Sequence, residues 1–192
     1  TFTTSASNAT ITLGSANALA GAVTLSTTGS SGHATIDNGT ETLDIAASSV
    51  GGNLTLTSGN GSGITDSGTL TIGGTLTATT DDNSGVINLG QLAVDGTIAL
   101  TTNTSGNATV VNDAGITFAA STVRGTLSAT ATTGDIDGSS AALTISSTSS
   151  FTTSASNADI TLSDTGNTFT GAVTLSTTGS TANATVDGGT TA

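Results

Sequence analysis

The chain has 192 residues, of which one is Lys or Arg and thirteen are Asp or Glu, giving a formal net charge of −12. That balance argues against nucleic-acid binding and against docking on an anionic membrane surface, because both need several cations. The absence of Cys excludes disulfides and thiolate metal sites, and the absence of Pro leaves every backbone N–H free to join a ladder.

Taken in order, the chain is a succession of short apolar/polar alternations separated by Gly, Asn and Asp turns. Alternation with period two is the signature of a strand with one buried face. One strand family opens on a small residue: GAVTLST at Gly21, GNLTLTS at Gly52, GTLTATT at Gly74, GTIALTT at Gly96, GTLSATA at Gly125, SSFTTSA at Ser149 and GAVTLST at Gly171. A second family follows each of these after a polar turn, as in ATIDNG, GITDSG and GVINLG, and a third precedes the marker, as in LDIA, LTIG and LAVDG. The steps from Gly52 to Gly74 and from Gly74 to Gly96 are both 22 residues, and Leu70, Ile72, Leu76 and Ala78 recur as Leu92, Val94, Ile98 and Leu100. A repeat of about twenty residues built from short strands predicts a β-solenoid: all-β, parallel, about 22 residues per coil, three short strands per coil. The longer steps, Gly21 to Gly52 and Gly96 to Gly125, read as coils with inserted loops, and glycine at the corners reads as a need for positive φ. Four Phe are the only aromatics, so the expected core is a thin stack of aliphatic ladders.

A longer repeat encloses the short one. FTTSASNATITL at Phe2 to Leu13 returns as FTTSASNADITL at Phe151 to Leu162, and GAVTLSTTGS at Gly21 to Ser30 returns unchanged at Gly171 to Ser180. The expected organisation is one long module over residues 1–150 and the start of its next copy over 151–192, in one continuous rod. No run approaches the roughly 20 apolar residues that span a bilayer. Thr1 opens without a basic leader and the chain stops mid-pattern, so it reads as a segment of something longer.

Residues with catalytic potential are few, and no enzyme activity is expected. His33 is the single His, and Asn183 stands at its place in the long repeat. Arg124 is the single basic side chain, in the stretch ASTVRG that reads as an insertion, where a carboxylate partner is expected. Asp37, Asp66, Asp137 and Asp187 fall at similar places after the second strand, with Asn88 and Asn112 interleaved. Stacked, they would form a column able to attract Ca²⁺, which favours several oxygen ligands. Asp81 with Asp82 and Asp135 with Asp137 are local alternatives, and the competing reading for all seven is a plain turn-forming ladder. Thr75, Thr77 and Thr79 point one way with Thr55 and Thr57 a coil below, a Thr-x-Thr arrangement of the kind that binds ice. Ala99, Ser128 and Ser176 read as interruptions of it. Asn-x-Ser/Thr triplets stand at Asn8, Asn38, Asn53, Asn103, Asn107 and Asn183.

The coils GNLTLTSGN, LTIGGTLTATT and INLGQLAVDGTIALTT resemble the repeats of filamentous-haemagglutinin-type exoproteins, the large bacterial adhesins of two-partner secretion. The resemblance extends over the whole chain and is one of pattern and composition. It implies a right-handed parallel β-helix, export to the bacterial surface through an outer-membrane partner, and a role in adhesion, aggregation or biofilm matrix. The function expected is thus a stiff, non-catalytic segment of a giant extracellular fibre or adhesin. Its partners would be neighbouring repeats end to end, other rods laterally, and host-cell or matrix glycans. The alternatives are an ice-binding solenoid and a carbohydrate-active β-helix, for which Arg124 would have to serve alone as the basic residue.

Overall fold

The computed structural model describes residues 1–189, so residues 190–192 of the expected second module lie outside the described residues. Among the described residues there are 23 strands and no helix. They form sheets of 11 and 12 strands that wind round one core, and the main path of each is nine strands deep. At about 4.8 Å between neighbouring strands, eight steps make a rod roughly 38 Å long.

The 22-residue period is literal in the middle of the rod. Leu54 pairs with Leu76 and Leu76 with Ile98 on the second sheet, while Leu70 pairs with Leu92 and Ile72 with Val94 on the first. All of these pairings are parallel, and side chains alternate inward and outward along each strand, as in Leu54–Ser58 and Leu76–Thr80. The inward positions carry Leu, Ile, Val and Ala, which merge into one continuous buried core from Ile11 to Leu162. No single coil could bury these residues; each is covered only by the coils above and below.

Three strands per coil hold over much of the rod, but the coils of Leu76–Thr80 with Ile87–Val94 and of Thr97–Thr101 with Ala108–Asn112 carry two, and the distribution between the sheets changes. In the first half the second sheet takes one strand per coil, three residues at Ile11–Leu13, four at Ala34–Asp37 and five at Leu54–Ser58, and the first sheet takes short ones such as Ile64–Asp66 and Leu70–Ile72. The next coil fuses those two into the eight-residue strand Ile87–Val94, with a register irregularity between Leu89 and Leu92. After that the first sheet carries the long strands Ala108–Asn112, Leu127–Ala131 and Ser149–Ser156. The second sheet now splits into pairs such as Ile116–Phe118 with Ser121–Val123, both of which stack on Thr97–Thr101. The corner of the cross-section has moved from one sheet to the other.

This handover corrects the reading of the long marker steps. The strand after Gly125 does not stack on the strand after Gly96; Leu127 pairs with Ala108, on the other sheet. Likewise Ser26 pairs with Ser49 and not with the strand after Gly52. No loop is inserted at either place. Coil steps stay within a narrow band, from 19 residues (Ala108 to Leu127) to 24 (Ser149 to Val173). The stretch before Arg124 is itself a strand, Ser121–Val123, paired with Leu143–Ile145.

The corner glycines are also needed for a different reason than expected. Positive φ occurs at Gly29, Gly39, Gly63, Gly179 and Gly189 and at five non-glycine residues, but at none of the marker glycines. Gly52, Gly74 and Gly96 instead stack directly, Gly74 N donating to Gly52 O at 3.1 Å and Gly96 N to Gly74 O at 3.2 Å. A Cβ on Gly96 would lie 2.5 Å from Gly74 O and 2.6 Å from its carbonyl carbon, so the coils approach too closely for any side chain.

The aromatic share of the core is larger than four Phe suggest, because three of them meet. Phe151 is fully buried, edge-on to Phe118 with centroids 6.1 Å apart and to Phe169 at 6.3 Å. Such contacts add about 0.5–1.5 kcal/mol each beyond burial.

Gly96→Ala should lower stability by about 1–3 kcal/mol, the range for overpacking against a rigid neighbour. Gly90→Ala, at a site with nothing within 4 Å of the added carbon, should cost far less. Paired urea melts followed by circular dichroism test the difference, and equal costs would show that stacking closeness is not what the corner requires.

Candidate functional site

Most of the acidic side chains end up serving the backbone where strands stop, Asp81 not among them. Asp37 Oδ1 accepts from Gly39 N, Asp137 Oδ1 from Ser139 N and Asp187 Oδ1 from Gly189 N, all at 2.8 Å and all two residues on in the chain. These are Asx turns, the local bond that makes Asp a turn former. Asp82 Oδ1 accepts from Asn83 N at 2.8 Å. Asp135 works between coils: its Oδ1 accepts from Asp159 N at 2.8 Å, and Asp159 Oδ1 accepts in turn from Asn183 N at 2.7 Å.

Asp37, Asp66, Asp137 and Asp187 do not form the column their sequence positions suggest. Asp37 pairs with Thr57, Asp66 stands beside Ile45 on the other sheet, and Asp137 lies between Thr117 and Thr161. Asn88 is exposed on the first sheet between Thr65 and Thr109, whereas Asn112 points into the core. What the fold does gather is Asp37, Asp81 and Asp82, which line an open groove of about 310 Å³ with Gly39, Thr40 and Gly59. Among the described residues no group of three or more His, Asp or Glu is placed to hold a metal ion.

Asp66 has the most specific task of the seven. It sits beneath the point where two strands fuse into Ile87–Val94, and the irregularity there leaves Gly90 N and Gln91 N without a regular strand partner. Asp66 Oδ1 accepts from Gly90 N at 3.0 Å and Oδ2 from Gln91 N at 2.7 Å. One carboxylate thus clamps both N–H groups of the bulge.

His33 and Arg124 are placed just as plainly. His33 Nδ1 accepts from Asn53 N at 2.8 Å, and Asn53 Oδ1 accepts from Thr75 N at 3.0 Å one coil further. The imidazole is therefore one member of a series of corner acceptors, a role that Asn fills elsewhere. Arg124 is exposed; its backbone N donates to Thr102 Oγ1 at 2.9 Å, and its side chain makes no ion pair with a described residue, against the expectation of a carboxylate partner. It borders an open groove of about 400 Å³ shared with Asp81, Asn103, Thr101 and Thr122.

Sequence reasoning missed the buried role of three asparagines, of which it reads Asn38 as a glycosylation triplet and Asn112 as a member of the acidic column. Asn112 Oδ1 accepts from Val94 N at 2.9 Å and its Nδ2 donates to Val94 O at 3.1 Å and Gly115 O at 2.7 Å. Asn38 does the same with Leu19 N, Leu19 O and Thr42 O, and Asn167 with Leu143 N, Leu162 O and Asp187 O. Each side-chain amide replaces a peptide group at a corner where the ladder breaks. The signal was parity: in Ala34, Ile36, Asn38 and in Ala108, Val110, Asn112 the Asn occupies the inward position. Of the Asn-x-Ser/Thr sites, Asn38 is thus fully buried with its amide engaged, so the folded chain offers no access there.

Asp66→Ala should destabilise the rod by about 1–2 kcal/mol, since two charge-assisted bonds are replaced by solvation of exposed N–H groups, and Asp66→Asn should recover part of that. Chemical denaturation with amide hydrogen exchange at Gly90 and Gln91 reads both, and unchanged exchange in Asp66→Ala would remove the clamp.

No curated protein and no solved structure matches the chain. A family model described as repeats of unknown function (DUF5649) matches residues 31–91 and 105–176. The first match runs through the coils up to the fused strand, and the second covers the coils after the handover. With more than half of its length covered by that model, the chain belongs to the DUF5649 repeat family.

Proposed function

We propose that the chain is a structural segment of a long extracellular bacterial fibre or adhesin, a stiff rod that carries load and spacing and has no catalytic centre. The observation that carries this reading is the module copy: FTTSASNATITL starts the stack on both sheets, and FTTSASNADITL occupies both sheets again seven coils later. A sequence that repeats in phase with its own coils extends a rod without a change of shape. The polar side chains support it, since most of the carboxylates and the buried amides are engaged at turns and corners. The likeness of the coils to filamentous-haemagglutinin-type repeats adds export to the cell surface and a role in adhesion or biofilm matrix. In that reading the partners are further repeats end to end, neighbouring rods and surface glycans, and Ca²⁺ has no structural part.

Electron microscopy of the protein with Ca²⁺ and then with a chelator tests this proposal. Thin rods with an axial spacing near 4.8 Å that persist on chelation are expected. Compact particles would overturn the rod, and rods lost on chelation would make the acidic groove a metal site. Resistance to proteolysis gives a second test. Arg124 is the single trypsin site, and its backbone N is bonded into the neighbouring coil, so native protein should stay intact under trypsin while urea-unfolded protein yields two fragments.

A further inference from the structure

We propose that the threonine face of the second sheet binds ice. The outward positions of that sheet form long columns of one residue type. Thr57 pairs with Thr79, Thr79 with Thr101, Thr101 with Thr122, Thr122 with Thr144 and Thr144 with Thr168, six coils in succession. Beside it run Thr12, Thr35, Thr55 and Thr77, and on the far side Thr75, Thr97 and Thr117. Ser128 and Ser176, which in sequence interrupt the array, lie on the other sheet and leave it intact.

The array is most regular where three columns run together. Strands Leu54–Ser58, Leu76–Thr80 and Thr97–Thr101 pair without a register break, so their outward residues repeat at about 4.8 Å between coils and about 6.7 Å along each strand. Thr is β-branched and stiff at χ1, which holds each hydroxyl and methyl at a defined place in that lattice. Thr75 Oγ1 and Thr97 Oγ1 are already 3.1 Å apart, in hydrogen-bond contact across coils. Within the block only Asn53 and Ala99 depart from Thr, and neither carries a charge.

A surface of this kind selects its ligand by repeat and by charge. The occupant must present hydrogen-bonding groups on a two-dimensional lattice of matching spacing, which a single small molecule does not. It must also not be anionic, because the field of a chain at −12 repels anions over several ångströms. Ordered water meets both conditions: hydroxyls take positions in its hydrogen-bond network, and methyls seat in the gaps where water closes round apolar groups. Crystalline ice is a solid of that chemistry.

The 192-residue chain, at increasing concentration, is to be placed with a single ice crystal and the melting and growth temperatures read by nanolitre osmometry. A gap between the two and faceted crystals are expected. Thr77→Tyr and Thr57→Tyr, outward at the centre and the edge of the block, should each abolish the gap, while Ser128→Tyr on the exposed side of the first sheet should retain it. Circular dichroism melts identify variants that remain folded. Unchanged ice growth with folded wild type overturns the proposal, as does a wild-type gap in both folded Thr variants. Microscopy of the rod decides the fibre reading separately, so either proposal can fail alone.

Discussion

Everything in this molecule depends on the parallel backbone ladder between one coil and the next. Each coil supplies donors and acceptors to two neighbours, and the same stacking that pairs them also covers its few aliphatic side chains. Neither contribution survives without the other. A lone coil would expose its peptide groups and its Leu and Ile residues together, and it has too little surface to bury either. The end of the described stack illustrates the point: along Val173–Thr178 and Ala184–Val186 the alternation persists, yet Val186 is 42 % exposed with no described strand above it. The pattern is the same as in the middle of the rod, and the burial is not.

From this dependence follows the role of the polar residues. A ladder that turns corners must leave some N–H and C=O groups without a strand partner, and buried groups of that kind cost about 1–3 kcal/mol each when unsatisfied. Asp66, His33, Asn53 and Asp135 accept bonds from the next coil, and Asn38, Asn112 and Asn167 stand in for whole peptide groups inside it. Two buried atoms among the described residues are exceptions: Asp44 Oδ1 has no partner, and neither has Ser149 Oγ, in the column between Leu127 and Val173. Most side chains that look like ligands or catalysts in the sequence, His33 and Asp66 among them, are therefore engaged in keeping the ladder continuous, whereas the Arg124 side chain is not.

The fold class was legible because Leu, Ile and Val alternate with Thr over 22-residue steps, and two matching steps in succession, from Leu54 to Leu76 to Ile98, leave little room for another architecture. The facet on which a strand lies was not legible. Period two tells inside from outside but is blind to which sheet is concerned, so the strand after Gly125 looked like the successor of the strand after Gly96 when it faces another way. The same blindness placed Asp37, Asp66, Asp137 and Asp187 in one column and made Ser128 a flaw in the threonine array. Glycine was read correctly as a corner residue, and the left-handed backbone expected of it occurs at Gly29, Gly39, Gly63, Gly179 and Gly189 but not at the marker glycines, because sequence shows the absence of a side chain without showing what would collide with it.

The near-constant step between paired strands also shapes how such a chain folds. Almost every long-range pairing joins residues about 19 to 24 apart, so closing each new coil carries a similar and modest entropic cost, which grows only slowly with loop length. The first two coils must meet without a template, whereas every later one adds to a finished edge. Folding then resembles growth from a seed, advancing along the chain at a rate set by one coil and independent of total length. A chain built this way can acquire its structure progressively as it emerges from a narrow exit, with each completed coil preventing the retreat of the last.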